Sequence, residues 1–117
     1  MIWLMAGDIV TIDSGIPVSS EAGFVRPAVV VSAAGFLKPN LRTLFVVPCT
    51  TRRRGAPSHI ELVPDSTNGL SLPSWAQVEH LRSISRARCV ERLGTVGAVT
   101  LAQIREVIAL LIDLDPL

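Results

Sequence analysis

Cysteine is scarce in this chain. Cys49 and Cys89 are the only two in 117 residues, too few for a disulfide framework and in keeping with the reduced thiols of a cytoplasmic protein. Net charge is low as well. A formal value of +1 excludes a polynucleotide binder that works by overall basicity, so any affinity for nucleic acid has to come from local clusters of charge. Repeats and low-complexity tracts are missing, and the eight glycines and eight prolines are dispersed, which argues for a globular chain over a disordered one. The apolar start Met1–Ala6 breaks at Gly7-Asp8 before it reaches signal length, so neither a signal peptide nor a membrane association is expected. Metal-ligand spacing is missing too: His59, His80 and the two cysteines form no C-x-x-C or H-x-x-x-H pattern, and no metal or other cofactor is expected. Each cysteine reads as a small buried hydrophobe, Cys49 inside an apolar run and Cys89 after an arginine-rich turn.

What is present suits one domain, 1–117, because a hydrophobic share of 49% over this length supplies one core and not two. Asp8 to Ile12 alternates polar and apolar residues and predicts a first strand. Asp13 to Gly23 is a loop punctuated by glycine, proline and serine. Phe24 to Ser32 predicts a strand whose run Ala28 to Val31 is apolar throughout, as in strands buried on both faces. Leu44 to Pro48 is a third strand, stopped by its proline, and Ser58 to Val63 a fourth. Trp75 to Ile84 reads as a further strand, Ser85 to Arg88 as a helical turn, and Val90 to Val96 as an edge strand. Thr100 with Gln103 fits a capping box. Leu101, Ile104, Val107, Ile108, Leu111 and Ile112 then recur at helical spacing, so a closing helix lays an apolar stripe on the strands. The expected fold is mainly β, a small and strongly bent barrel with a C-terminal α-helix and short helical turns.

Function is concentrated in three segments in order: Gly7-Asp8-Ile9-Val10, then Ser20-Glu21-Ala22-Gly23-Phe24-Val25-Arg26-Pro27-Ala28-Val29-Val30-Val31, then Val46-Val47-Pro48-Cys49-Thr50. They set a carboxylate in a small-residue loop, an arginine at a strand mouth and a threonine at the end of the next apolar strand, which are parts for holding a phosphodiester. The same segments resemble the signature of the MazF/PemK family of toxin endoribonucleases. Further on, Pro57 to Leu62 resembles that family's fourth strand, and Val78-Glu79-His80-Leu81-Arg82-Ser83-Ile84 its E-Q-[IL]-R-[AST]-[IV]-D segment. The chain departs from the pattern at His80, Ser85 and Cys89, where the family commonly has glutamine, aspartate and leucine.

The resemblance implies an SH3-like barrel of the CcdB/PemK type and metal-independent cleavage of single-stranded RNA, with Arg26 and Thr50 as the catalytic pair. It also implies a homodimer and a cognate MazE-like antitoxin whose acidic tail covers the site. The chemistry is coherent. With the ribose 2′-hydroxyl as nucleophile, the protein has to accept its proton, stabilise the phosphorane and help the 5′-oxygen leave. Arg26 presents a planar fork of donors to phosphate oxygens, and Pro27 holds it extended. Thr50 offers a hydroxyl and a backbone N–H to the same phosphate. Arginine holds its proton far above neutral pH and is a poor base there, so Glu21 or a histidine is expected to share the proton transfer. Phe24 is a stacking platform for a base and Arg52, Arg53 and Arg54 a funnel for the backbone; Ser20, Thr51 and His59 complete the expected RNA-contacting set.

Each residue has a plainer role available. Arg26 paired with Glu21 is an ordinary surface ion pair, Thr50 an ordinary turn residue, Arg52 to Arg54 a solvated loop, His59 a half-buried strand residue, and Phe24 equally a core residue. Their joint occurrence in order argues for the site. Three functions compete at this stage: an endoribonuclease toxin, an SH3-like module that grips nucleic acid or a peptide without cutting, and a CcdB-like inhibitor of gyrase acting through the C-terminal helix.

Overall fold

The apolar run from Ala28 to Val31 lies at the centre of the molecule. In the computed structural model, which describes residues 3–13 and 25–114, strand β2 (Val25–Val30) is flanked by β1 (Asp8–Asp13) and β3 (Thr43–Thr50), both antiparallel to it. Shorter strands follow: β4 (His59–Leu62), β5 (Ser74–Gln77), β6 (Arg82–Ser85) and β7 (Cys89–Thr95). The sheet order is β4-β5-β3-β2-β1-β7, with β6 also paired to β3. Helix α1 (Gly97–Leu111) follows β7. Single 3-10 turns occupy Ala34–Phe36, Val78–His80 and Arg86–Arg88.

Period-two alternation buries both faces of the three central strands. Ile9, Val29 and Val47 join Cys49, Leu62, Ala76 and Val78 beneath Leu101 and Ile104 of α1. Val10, Ile12, Ala28, Val30 and Val46 point the other way, against Leu4, Leu37, Leu44 and Ile84. This is the mainly β architecture with a C-terminal helix and short helical turns expected from the sequence. Cys49 is 2% exposed, and burial pushes its thiol up to about 12. Cys89 is half-buried, its thiol raised by burial and held back by Arg86. Both behave as core-lining residues.

Four local expectations are corrected. The segment Trp75 to Ile84 is two strands, because the 3-10 turn Val78–His80 breaks it, so that β5 pairs with the end of β3 and β6 with its beginning. Pro48 does not stop β3. Phe45 directs its carbonyl to Val31, so Pro48, three residues on, directs its amide away from β2. There it meets the gap between β6, which reaches Val46, and β5, which begins at Cys49, and the missing N–H leaves no ladder bond unmade. The helix starts ahead of the expected Thr100 cap: Gly97, at φ 83°, turns the chain out of β7, and its N–H donates to Thr95 Oγ1 at 3.2 Å. The stripe on α1 packs through Leu101, Ile104, Val107 and Ile108, but Leu111 and Ile112 are 50% and 62% exposed. Among the described residues no helix is long and apolar enough to cross a membrane.

Candidate functional site

The ladder between β2 and β3 runs Val30 to Val46, Val29 to Val47 and Ala28 to Pro48. Carried on for two residues, the same register sets Arg26 across from Thr50. Directly opposite residues share a face, with Cβ atoms about 5 Å apart. Arg26 faces Ile12 on its other side, Thr50 faces Trp75, and Trp75 faces Glu61. Glu61, Trp75 and Thr50 thus follow one another across β4, β5 and β3, and the β2–β3 register, extended beyond its last recorded pair, points on to Arg26, which is paired with Ile12 of the second apolar cluster. At the ends of β2 and β3 away from Leu44 and Ile84 this row makes a rim in which Arg26 and Thr50 are each half-buried.

Thr50 is half-buried, and its Oγ1 accepts the backbone N–H of Arg52 at 3.1 Å. That contact uses a lone pair of the hydroxyl oxygen and leaves its O–H to donate elsewhere. It also fixes the start of the connection that carries Thr51, Arg52, Arg53 and Arg54, all exposed. Arg26 is half-buried. On the far side of β1, Arg88 donates to the carbonyl of Asp13 at 3.2 Å, bringing another cation to the same end of the sheet. Past Ile12 the row meets Cys89, which lines a groove of about 710 Å³ together with Arg42, Ser85 and Arg86. Arg86 is tied to the chain by donating to the carbonyls of Leu41 at 3.0 Å and Leu37 at 3.1 Å. The expected residues Ser20, Glu21 and Phe24 lie outside the described residues.

His59 is not brought to Thr50. It sits on β4, opposite Gln77, two strands away from β3, which at ordinary sheet spacing is roughly 10 Å. Its side chain is 3% exposed, and its Nε2 lies 2.8 Å from Glu79 Oε2. Ser58 donates to the other carboxylate oxygen at 2.8 Å. Burial alone would raise the Glu79 carboxyl, but the hydrogen bonds from His59 and Ser58 outweigh it and hold the group below the usual carboxylate range. The charged carboxylate only accepts, so Nε2 carries the hydrogen; Nδ1 is buried and has no partner among the described residues. This clamp fastens the end of the cationic connection to the turn Val78–His80, a structural task the sequence did not suggest.

Trp75 is the residue the sequence left unnoticed. Read as an interior position of one long strand, it carries no signal, and only the ladder pairs put it beside Thr50. No group of three or more His, Cys, Asp or Glu residues that could hold a metal ion occurs among the described residues.

A family model for the PemK-like, MazF-like toxin of type II toxin–antitoxin systems matches residues 5–112. Endoribonuclease MazF9 of Mycobacterium tuberculosis is 35% identical over 112 residues, covering 92% of this chain and 95% of that protein. The solved structure of MazF from Deinococcus radiodurans superposes with a TM-score of 0.78 at 27% identity, covering 97% of this chain and 99% of that one. A MazE–MazF structure from the same organism has a TM-score of 0.74 at 27% identity, over 97% and 98%.

Proposed function

The chain belongs to the PemK-like, MazF-like toxin family and is an endoribonuclease of a type II toxin–antitoxin system, and we propose that it cuts single-stranded RNA, without a metal, at the rim that carries Arg26 and Thr50. What supports this assignment is the antiparallel pairing of β2 with β3, whose register, carried two residues past Ala28 and Pro48, sets the guanidinium of Arg26 and the hydroxyl of Thr50 on one face of adjacent strands.

A phosphate seated on this row meets Arg26 from one strand and the Thr50 hydroxyl from the next. As the 2′-oxygen attacks, negative charge accumulates on the non-bridging oxygens, and donors already fixed in place stabilise it more than they stabilise the substrate. The hydrogen bond from Arg52 to Thr50 supports this, since it orients the hydroxyl before RNA arrives. The planar fork of Arg26 suits two phosphate oxygens at once. The 2′-hydroxyl proton goes to Glu21, the carboxylate five residues before Arg26 in sequence, and the P–O5′ bond breaks as the 5′-oxygen takes a proton from solvent, giving a 5′-hydroxyl and a 2′,3′-cyclic phosphate. Direct proton transfer by His59 is disfavoured by its two-strand separation and its contact with Glu79.

Thr51 and Arg52 to Arg54 lead the RNA backbone to this point, as exposed cations do on single strands, and Ser20 and Phe24 are further RNA contacts. The resulting loss of intact RNA arrests translation and growth in the cytoplasm. A MazE-like antitoxin with an acidic tail competes for the same cations, in line with the MazE–MazF pairing of the Deinococcus structure. A homodimer is also inferred, because apolar surface stays open at the end of α1, where Leu110, Leu111 and Ile112 are exposed and a groove of about 350 Å³ runs to Val78 and Leu81.

The test is incubation of purified protein with a long RNA in EDTA. Fragments ending in 2′,3′-cyclic phosphate are expected from the native chain and not from folded Arg26→Ala or Thr50→Ala protein. Binding without scission contradicts the assignment in favour of a non-cutting module, and growth arrest with intact RNA and stalled supercoiling contradicts it in favour of a gyrase inhibitor.

A further inference from the structure

The ladder that pairs Thr50 with Trp75 continues to Glu61, and among the described residues neither Trp75 nor Glu61 makes a side-chain contact that accounts for its place. Trp75 is half-buried yet joins neither apolar cluster, although a tryptophan that serves the core contributes a large packed area. Its indole N–H makes no hydrogen bond among the described residues. The other described aromatics are elsewhere: Trp3 and Phe36 stand outside the sheet, and Phe45 alternates to the opposite face of β3 from Thr50. The Glu61 side chain is exposed and makes no ion pair or hydrogen bond among the described residues, despite three arginines in the connection that leads into its own strand.

We propose that Trp75 and Glu61 form a nucleobase subsite beside the scissile phosphate, in which the indole face stacks a base and the Glu61 carboxylate accepts from that base's exocyclic amine. The subsite rests on the proposed cleavage of RNA at Arg26 and Thr50. Trp75 is the direct cross-strand neighbour of Thr50, so a phosphate held by Thr50 brings the base of an adjoining nucleotide over the indole. Single strands are read in this way, by splayed bases stacked on aromatics and hydrogen-bonded at their edges. Glu61 is one strand further out, roughly 10 Å from Thr50, too far to oppose the phosphate and on the side where the edge of a stacked base ends. An ionised carboxylate only accepts, so it selects for the amine of guanine, adenine or cytosine and against uracil, which has none.

The experiment begins by mapping the bonds that the native chain cuts in a long RNA. Oligoribonucleotides spanning one such bond, with each of the four bases on either side, are then assayed with native, Trp75→Ala, Trp75→Phe and Glu61→Gln proteins. Copies carrying a 2′-deoxy residue at the cut nucleotide are titrated into a Trp3→Phe protein, in which Trp75 is the sole tryptophan. Quenching of its emission on binding is expected. Trp75→Ala raises KM about ten-fold or more with kcat little changed, Trp75→Phe recovers most of the loss, and Glu61→Gln levels the preference for amine-bearing bases. An unquenched indole together with unchanged KM in Trp75→Ala overturns the stacking role, and a base preference intact in Glu61→Gln overturns the carboxylate's. A native chain that cuts no RNA overturns the proposed function itself, and that result arrives before any variant is assayed.

Discussion

Glu79 holds His59 through a contact of 2.8 Å between carboxylate and imidazole, and the same carboxylate takes the hydroxyl of Ser58 at 2.8 Å. Its acidity is therefore coupled to folding. The carboxyl is held below its ordinary value of 4.5 in the folded chain, so the folded state binds the proton less well than the unfolded one. The stabilisation is complete above the unfolded value and is lost as pH falls through the folded one. Thermal melts are expected to show native protein more stable than Glu79→Gln at neutral pH, with the gap closing below about pH 4.5. A gap that is constant with pH contradicts this coupling.

Arg52, Arg53 and Arg54 are exposed next to Thr50. Replacing all three with glutamine is expected to weaken RNA binding and to flatten its salt dependence. Each lost phosphate contact lowers the slope of log K against log salt by about 0.7 on single strands. An unchanged slope removes these arginines from the interface.

The two ends of the α1 stripe differ in burial, Ile104 being fully enclosed and Ile112 62% exposed. Urea denaturation of Ile104→Ala is expected to show a loss of about 2–5 kcal/mol, as for other large-to-small core changes. Ile112→Ala in the monomeric chain is expected to stay within about 0.5 kcal/mol of native. Equal losses contradict the packing described for the helix.

The thiols differ too. Cys49 is enclosed and its thiol is pushed up to about 12 by burial, whereas Cys89 is half-buried. Alkylation of the folded protein at neutral pH is expected to modify Cys89 well before Cys49, because the thiolate is the reactive form. Mass mapping that finds Cys49 labelled first contradicts the burial.

The central strands were legible in sequence because burial on both faces demands an unbroken apolar run, and Ala28 to Val31 has one. The helix was legible from its period, though not its start: a glycine turn at Gly97 replaces the polar cap that Thr100 suggested. What stayed hidden depends on pairing between distant segments. Trp75 to Ile84 carries no proline or glycine to mark its break, and the turn Val78–His80 exists because β3 needs two partners in succession. Pro48 looked like a terminator because a sequence does not show which side of a strand is unpaired. Within the site, Arg26 and Thr50 stood out through their motifs, whereas the place of Trp75 came from register alone, and the burial of His59 against Glu79 from a contact spanning twenty residues.

The central claim, that one arginine and one threonine on adjacent strands act on a single phosphate, is tested most directly by single-turnover cleavage of RNA in EDTA by native, Arg26→Ala and Thr50→Ala proteins of matched fold. The expected result is cyclic-phosphate ends from the native chain and rates lower by about 100-fold or more in each variant, the usual effect of removing one preorganised donor. Cleavage at the native rate by either folded variant contradicts it.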